Sequence, residues 1–305
     1  MWTARNIRLC SSWRLCACPL ASLALADSLV AMLRGVLVIR VLPVVLAMAA
    51  VVAVLSAVDW SDASAAGPGS LPDLDQEIPS GLTITRTASV YVLGFDSAVR
   101  NVGEGPLVID AQRPAPGAST MTADQLIDRD GAPHVVVAGV GQLRYVVSPD
   151  HRHWHLLGFD RYQLRRPGAR NAAVRDRKSG FCLGDRYRVT DRALRAAPAE
   201  PRYTSRCGLA APGLLGIQEG ISVGYGDDYR ANLEGQYLLL SGLPTGRYVL
   251  VHRVNGARRL RELDYRNNAA SLLLQLRWQR GAPIVRILRR CPDSGRCDRL
   301  TGGTD

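Results

Sequence analysis

The chain is short of imidazole, of lysine and of aromatic rings. Its 305 residues include five histidines and a single lysine, and aromatic side chains make up 6%. With so few aromatics, and with arginines scattered rather than striped, the formal charge of +11 does not read as a nucleic-acid footprint. It reads as a solvated surface that would favour anionic wall or membrane material. No H-E-x-x-H occurs, which removes the usual framework of a zinc hydrolase, and no C-x-x-C pair occurs, which argues against zinc held by thiols. There is no internal repeat and no sustained 3.6-residue apolar period, so a helical architecture is not expected.

The few histidines are not spread evenly. In "SPDHRHWHLLGFDRYQL", His151, His153 and His155 stand at every second position. On a β-strand such residues share one face, whereas on a helix the middle one would point away. The alternating flanks "LRYVV" and "GFDRYQL" favour the strand. The segment would then offer three imidazoles to one point, with Arg152 and Trp154 turned the other way and Trp154 packing. Neutral imidazole is the commonest metal ligand, and it suits copper, zinc, nickel and iron alike, so the triplet alone does not name the ion.

Residues 1–66 read as a targeting segment rather than folded protein. From Met32, taken as the true start, a basic stretch with Arg34 and Arg40 leads into an apolar run, Val41 to Val58, and then into Ala63-Ser64-Ala65. This is the order of a cleaved secretory signal, with an uncleaved membrane anchor as the alternative. Export to a secreted or cell-surface location makes the four remaining cysteines candidates for disulfides. Cys291 and Cys297 enclose the turn-rich "PDSGR", which leaves Cys182 for Cys207.

Short β-branched runs fill the rest, among them "LTITRTASVYVLGF", "GPLVID", "HVVVAGVG", "GQYLLL", "RYVLVHRV", "SLLLQLRW" and "PIVRIL", punctuated by Gly, Pro, Asn and Asp. They predict an all-β, sandwich-type single domain with long loops over residues 67–285, followed by a C-terminal disulfide loop and tail over 286–305.

The lone lysine, Lys178, lies in "DRKSGFCLGDRY". A buried ammonium can lose its proton and become a nucleophile, which a guanidinium cannot. By itself the residue reads equally well as a surface cation.

Taken together, His151-Arg152-His153-Trp154-His155, then Lys178-Ser-Gly-Phe-Cys182-Leu-Gly-Asp185, resemble the copper-ligand and cofactor-lysine segments of lysyl oxidases. The likeness continues through "YGDDYRANLEGQYLLL" and into Asp264-Tyr265-Arg266-Asn267-Asn268, similar to that family's D-Y-x-N-N motif. The resemblance implies a copper amine oxidase that converts primary amines, peptidyl lysine among them, to aldehydes with O2, releasing ammonia and hydrogen peroxide. It implies Cu(2+) on His151, His153 and His155, and a lysine tyrosylquinone made from Lys178 and a tyrosine. Placing Gln236-Tyr237 on the family's Gln-Trp sets Tyr229 at the quinone position, with Tyr225 as the fallback.

One departure matters. The animal enzymes carry a further histidine after the triplet, where this chain has Arg161. Proton abstraction then needs another group, and Asp227 or Asp228 beside Tyr229 are the candidates, with Asp227 preferred. A turn role serves as the alternative for either carboxylate. For the whole protein, the alternative is an extracellular copper-binding β-sandwich without oxidase activity.

Overall fold

The computed structural model describes residues 69–298 except 130, 149–151, 177, 179, 232 and 234. The expected targeting segment, residues 1–66, therefore lies outside the described residues, and so does His151. Among the described residues there is no helix, and the strands form three antiparallel sheets, so the all-β expectation holds.

The first sheet runs β1 (Leu74–Gln76), β3 (Val90–Asn101), β13 (Tyr225–Tyr229), β11 (Tyr187–Arg188), with β2 (Ser80–Thr87) and β14 (Tyr237–Leu239) also paired to β3. The second runs β10 (Gly180–Phe181), β7 (Arg152–Leu157), β6 (Val135–Val147), β5 (Thr120–Ile127), β4 (Leu107–Gln112), β12 (Gly216–Ile221). The third runs β17 (Ala282–Cys291), β16 (Ala269–Gln279), β15 (Gly246–Val254), β8 (Asp160–Arg165), β9 (Ala172–Arg175).

Inward residues of all three sheets meet in one core that includes Phe95, Leu143, Phe181, Tyr229, Leu250 and Leu274. Its aromatic members stack edge to face, with Phe95 5.0 Å from Tyr162 and Phe181 4.9 Å from Tyr229. Such pairs add to the burial of their apolar area. The aromatics are few, and the core collects them.

Alternation decides which side chains of β7 go where. Trp154 is fully buried, its indole donates from Nε1 to the Ala211 carbonyl at 3.1 Å, and Arg152 is exposed on the same face. The histidines take the other face. Trp154→Ala should therefore cost about 3–5 kcal/mol of stability, the usual range for emptying a buried aromatic site. Chemical denaturation measures it, and a loss below about 1 kcal/mol would mean that the tryptophan does not anchor the strand.

The D-Y-x-N-N segment acts as a clasp. Asn267 donates to Asp73 at 2.7 Å, and Asn268 donates to the buried Glu262, which also accepts from the Leu74 amide at 3.0 Å. The loop entering β16 is thus tied to β1, the first strand of another sheet. His252 is fully buried between two such partners. Gln76 donates to its Nδ1 at 2.8 Å, so its proton sits on Nε2 and is given to Asp160.

Candidate active site

The sequence places the two histidines of β7 on one face, and the fold keeps them there. The His153 and His155 rings lie 4.7 Å apart, centroid to centroid, with His155 buried. β7 has β6 along one edge. Its other edge is covered by two separate segments. β10 pairs with it at Leu156 and Leu157, while the Arg152 carbonyl accepts from Ala210 and the Trp154 amide donates to Cys207. The Cys182–Cys207 disulfide joins these two covering segments, and a second disulfide links Cys291 and Cys297, the pairing expected.

Gly180 explains how β10 comes so close. A Cβ there would sit 2.7 Å from the Cβ of His155 and 3.0 Å from the Leu156 carbonyl, so only a residue without one allows the pairing. Gly235 does the same for the loop before β14. It has a φ of +76°, and a Cβ would stand 3.2 Å from the Cα of Lys178. Both glycines press backbone against the residues of interest.

Lys178 is buried, with 5% of its surface exposed. Its Nζ lies over the Tyr229 ring, 4.6 Å from the centroid, and 5.1 Å from that of Phe181. The Tyr229 hydroxyl has two acceptors within reach for its one proton, the Cys182 carbonyl at 3.0 Å and Asp227 Oδ2. Cys182 follows β10 directly, so the same short segment carries Lys178 at one end and holds the phenol at the other. The structure thus brings Lys178, Tyr229 and Asp227 together next to the histidine strand.

Tyr225 is not part of this group. It shares the inward face of β13, but four residues of strand separate it from Tyr229 by roughly 13 Å. Its hydroxyl donates to the Ala199 carbonyl at 3.1 Å and accepts from Arg188 at 3.2 Å. Asp228 points to the opposite face, 3.9 Å from Arg230. Arg161, where the family has its histidine, is 3.6 Å from Asp176.

Burial sets the electrostatics. It is the first cause that pushes Asp227 up to about 8, with neighbouring Asp228 adding to the rise while the Tyr229 hydrogen bond, Arg186 and Lys178 work against it. The Tyr229 phenol is held far above its ordinary range, first by burial and then by Asp227, so it stays a donor. Glu219, which had no signal in "GIQEGI" beyond a charge within an apolar strand, is fully buried and raised well above normal, chiefly by desolvation. It accepts from the Leu183 amide at 3.3 Å and lies against the Cys182–Cys207 bridge. Those three residues have metal-donor spacing, but both sulfurs are spent in the disulfide, which leaves no thiolate to ligate an ion.

These shifts carry a pH dependence. Folded Asp227 keeps its proton up to about pH 8, against an ordinary value of 3.8, so the folded chain binds more protons between the two. The contribution of this group is complete below about pH 4 and is lost as pH climbs through about 8. Glu262, raised to about 7 mainly by desolvation, has the same sign. Tm should therefore fall from pH 4 to pH 8, and Asp227→Asn should flatten part of that slope. An unchanged slope in the variant would remove Asp227 as its cause.

Comparison with curated proteins finds no match. Residues 141–282 match the family model described as Lysyl oxidase, a span that runs from within β6 to the start of β17 and contains His153, His155, Lys178, Asp227 and Tyr229. Over residues 141–282, therefore, the chain is a lysyl oxidase family domain.

Proposed function

We propose that this protein is an exported, copper-dependent amine oxidase whose cofactor is a lysine tyrosylquinone built from Lys178 and Tyr229. The observation that carries the reading is the contact between the chain's only lysine and one particular tyrosine, 4.6 Å from amine to ring centroid, beside a strand face of histidines. The donor set fits the ion. Two imidazoles 4.7 Å apart on one strand face, with His151 next in the same alternation, make the nitrogen-rich shell that copper accepts.

When bound, the copper and quinone supply the oxidising power that turns a primary amine and O2 into aldehyde, ammonia and hydrogen peroxide. The protein's own residues do the rest. His153, His155 and His151 would hold the ion. The Cys182 carbonyl and Asp227 hold the phenol oxygen between them, so the ring keeps one face toward Lys178. Phe181 packs edge-on against the ring, and the surrounding core excludes bulk water from the pair. Once ionised, above about pH 8, Asp227 can take the phenol proton through Oδ2 while the cofactor forms. In turnover the same carboxylate is the proposed base, filling the role that Arg161 does not. The two disulfides support an oxidising compartment, and we propose residues 1–66 as the export signal.

The test is to express the exported form with copper and add phenylhydrazine. A coloured adduct, together with a cross-linked peptide joining the Lys178 and Tyr229 regions, is expected. Copper bound at full stoichiometry with no adduct and no cross-link would reject the oxidase and leave a copper-binding module.

A further inference from the structure

Arg186 is the charged side chain that links this buried group to solvent. It lies between β10 and β11, and its amide donates to the Gly226 carbonyl at 2.8 Å, which pins the residue beside β13. The side chain is 31% exposed, yet its Nε lies 3.5 Å from Oδ1 of Asp227, a carboxylate only 1% exposed. Its Nη2 reaches Cys182 Sγ at 3.2 Å. Asp227 turns its other oxygen to the Tyr229 hydroxyl. The partly exposed guanidinium therefore lies against both residues that hold the phenol, Asp227 by its carboxylate and Cys182 by its sulfur. The other charged neighbours are placed differently, for Lys178 is buried over the ring, Glu219 is fully buried and kept protonated by desolvation, and Asp228 points away from the core.

We propose that Asp227 carries a binding subsite for the ammonium group of a primary amine, and that Arg186 fills this subsite in the resting protein. A primary alkylammonium ion enters by displacing the guanidinium and taking over its place on Oδ1. Its compact head and three N–H donors suit a buried carboxylate whose partner from the solvent side is a single, partly exposed arginine. Once seated, the ammonium passes one proton to Asp227. The N–H bond breaks, an O–H bond forms on the carboxyl, and ion pair becomes neutral amine plus neutral acid with no change in electron count. The free amine is the nucleophile that an amine oxidase requires. The catalytic consequence rests on the oxidase reading, whereas the binding does not.

The test uses metal-free full-length protein, so that no oxidation takes part. n-Butylammonium chloride is titrated at pH 9 by calorimetry into the wild type, Arg186→Ala, Arg186→Gln and the Arg186→Ala/Asp227→Asn pair. Tetramethylammonium, which has no N–H donor, serves as the control ion. Removal of the guanidinium should tighten butylammonium binding by about tenfold in both single variants, the scale of one hydrogen-bonded ion pair. The gain should vanish in the pair and be absent for tetramethylammonium. Equal affinity in wild type and both single variants, or a gain that survives Asp227→Asn, would overturn the proposal. Copper-loaded protein separates the two readings. Tighter butylammonium binding with no phenylhydrazine adduct would remove the oxidase and keep the subsite. An adduct with no effect at Arg186 would do the reverse.

Discussion

Lys178→Met and Tyr229→Phe should each abolish the phenylhydrazine adduct, the cross-linked peptide and amine oxidation, while Tyr225→Phe keeps all three. The first variant removes the only amine near the ring, and methionine of similar length refills the space with little strain. The stability lost with the ammonium over the Tyr229 and Phe181 rings is about 0.5–2 kcal/mol. The fold should therefore survive and the cofactor should not. The second variant removes the oxygen that a quinone needs and strips Asp227 Oδ2 of its donor, at a cost of about 1–3 kcal/mol. Tyr225 is the control because it is inward on the same strand yet tied to Ala199 and Arg188 rather than to Lys178. Peptide mapping and adduct absorbance decide the matter. An adduct in either of the first two variants would place the cofactor elsewhere.

Loss of the Cys182–Cys207 bridge should cost more stability than loss of Cys291–Cys297, and it should also disable the site. The bridge closes 25 residues, and loop-closure entropy alone makes it worth about 3.5 kcal/mol. Cys291–Cys297 closes only 6, for about 2 kcal/mol. The double alanine variants should thus melt lower by about 10 °C and about 6 °C respectively. Function separates them further. The first bridge joins the two segments that cover the open edge of the histidine strand, and Cys182 supplies the carbonyl that holds the Tyr229 hydroxyl. The second lies at the C-terminal end of β17, packed with Val249, Val251 and Leu273 on the outer side of the third sheet. Calorimetry and adduct yield on both variants provide the comparison. A reversed order of Tm, or full adduct yield without Cys182–Cys207, would contradict this account.

Much of the fold was legible in local pattern. The runs "GPLVID", "RYVLVHRV" and "SLLLQLRW" became β4, β15 and β16, and the apolar stretches before and after Gly141 joined into the single long β6. Short strands such as β10 and β11 were not legible, because two residues carry no period and exist only by pairing with β7 and β13. The site was legible to the same degree. Strict alternation fixed the faces of His153, Trp154 and His155. Lys178 stands out as the chain's single lysine, and Tyr229 by its place in the motif order.

Arg186 and Glu219 could not be read in advance. An arginine among many, and one glutamate in "GIQEGI", have no distinguishing spacing. Their character comes from what surrounds them, a buried carboxylate for one and a desolvated bridge for the other. From its residues alone, this chain determined which side chains share a strand face, which cysteines could pair, and that one amine was singular. Those are consequences of backbone periodicity and composition, both local in kind. Only the packed sheets decided that Tyr229 rather than Tyr225 meets the amine, that Asp227 is dry, and that a guanidinium covers it. Distance and solvent exclusion depend on contacts between segments far apart in the chain, and these arise only when the three sheets close on one core.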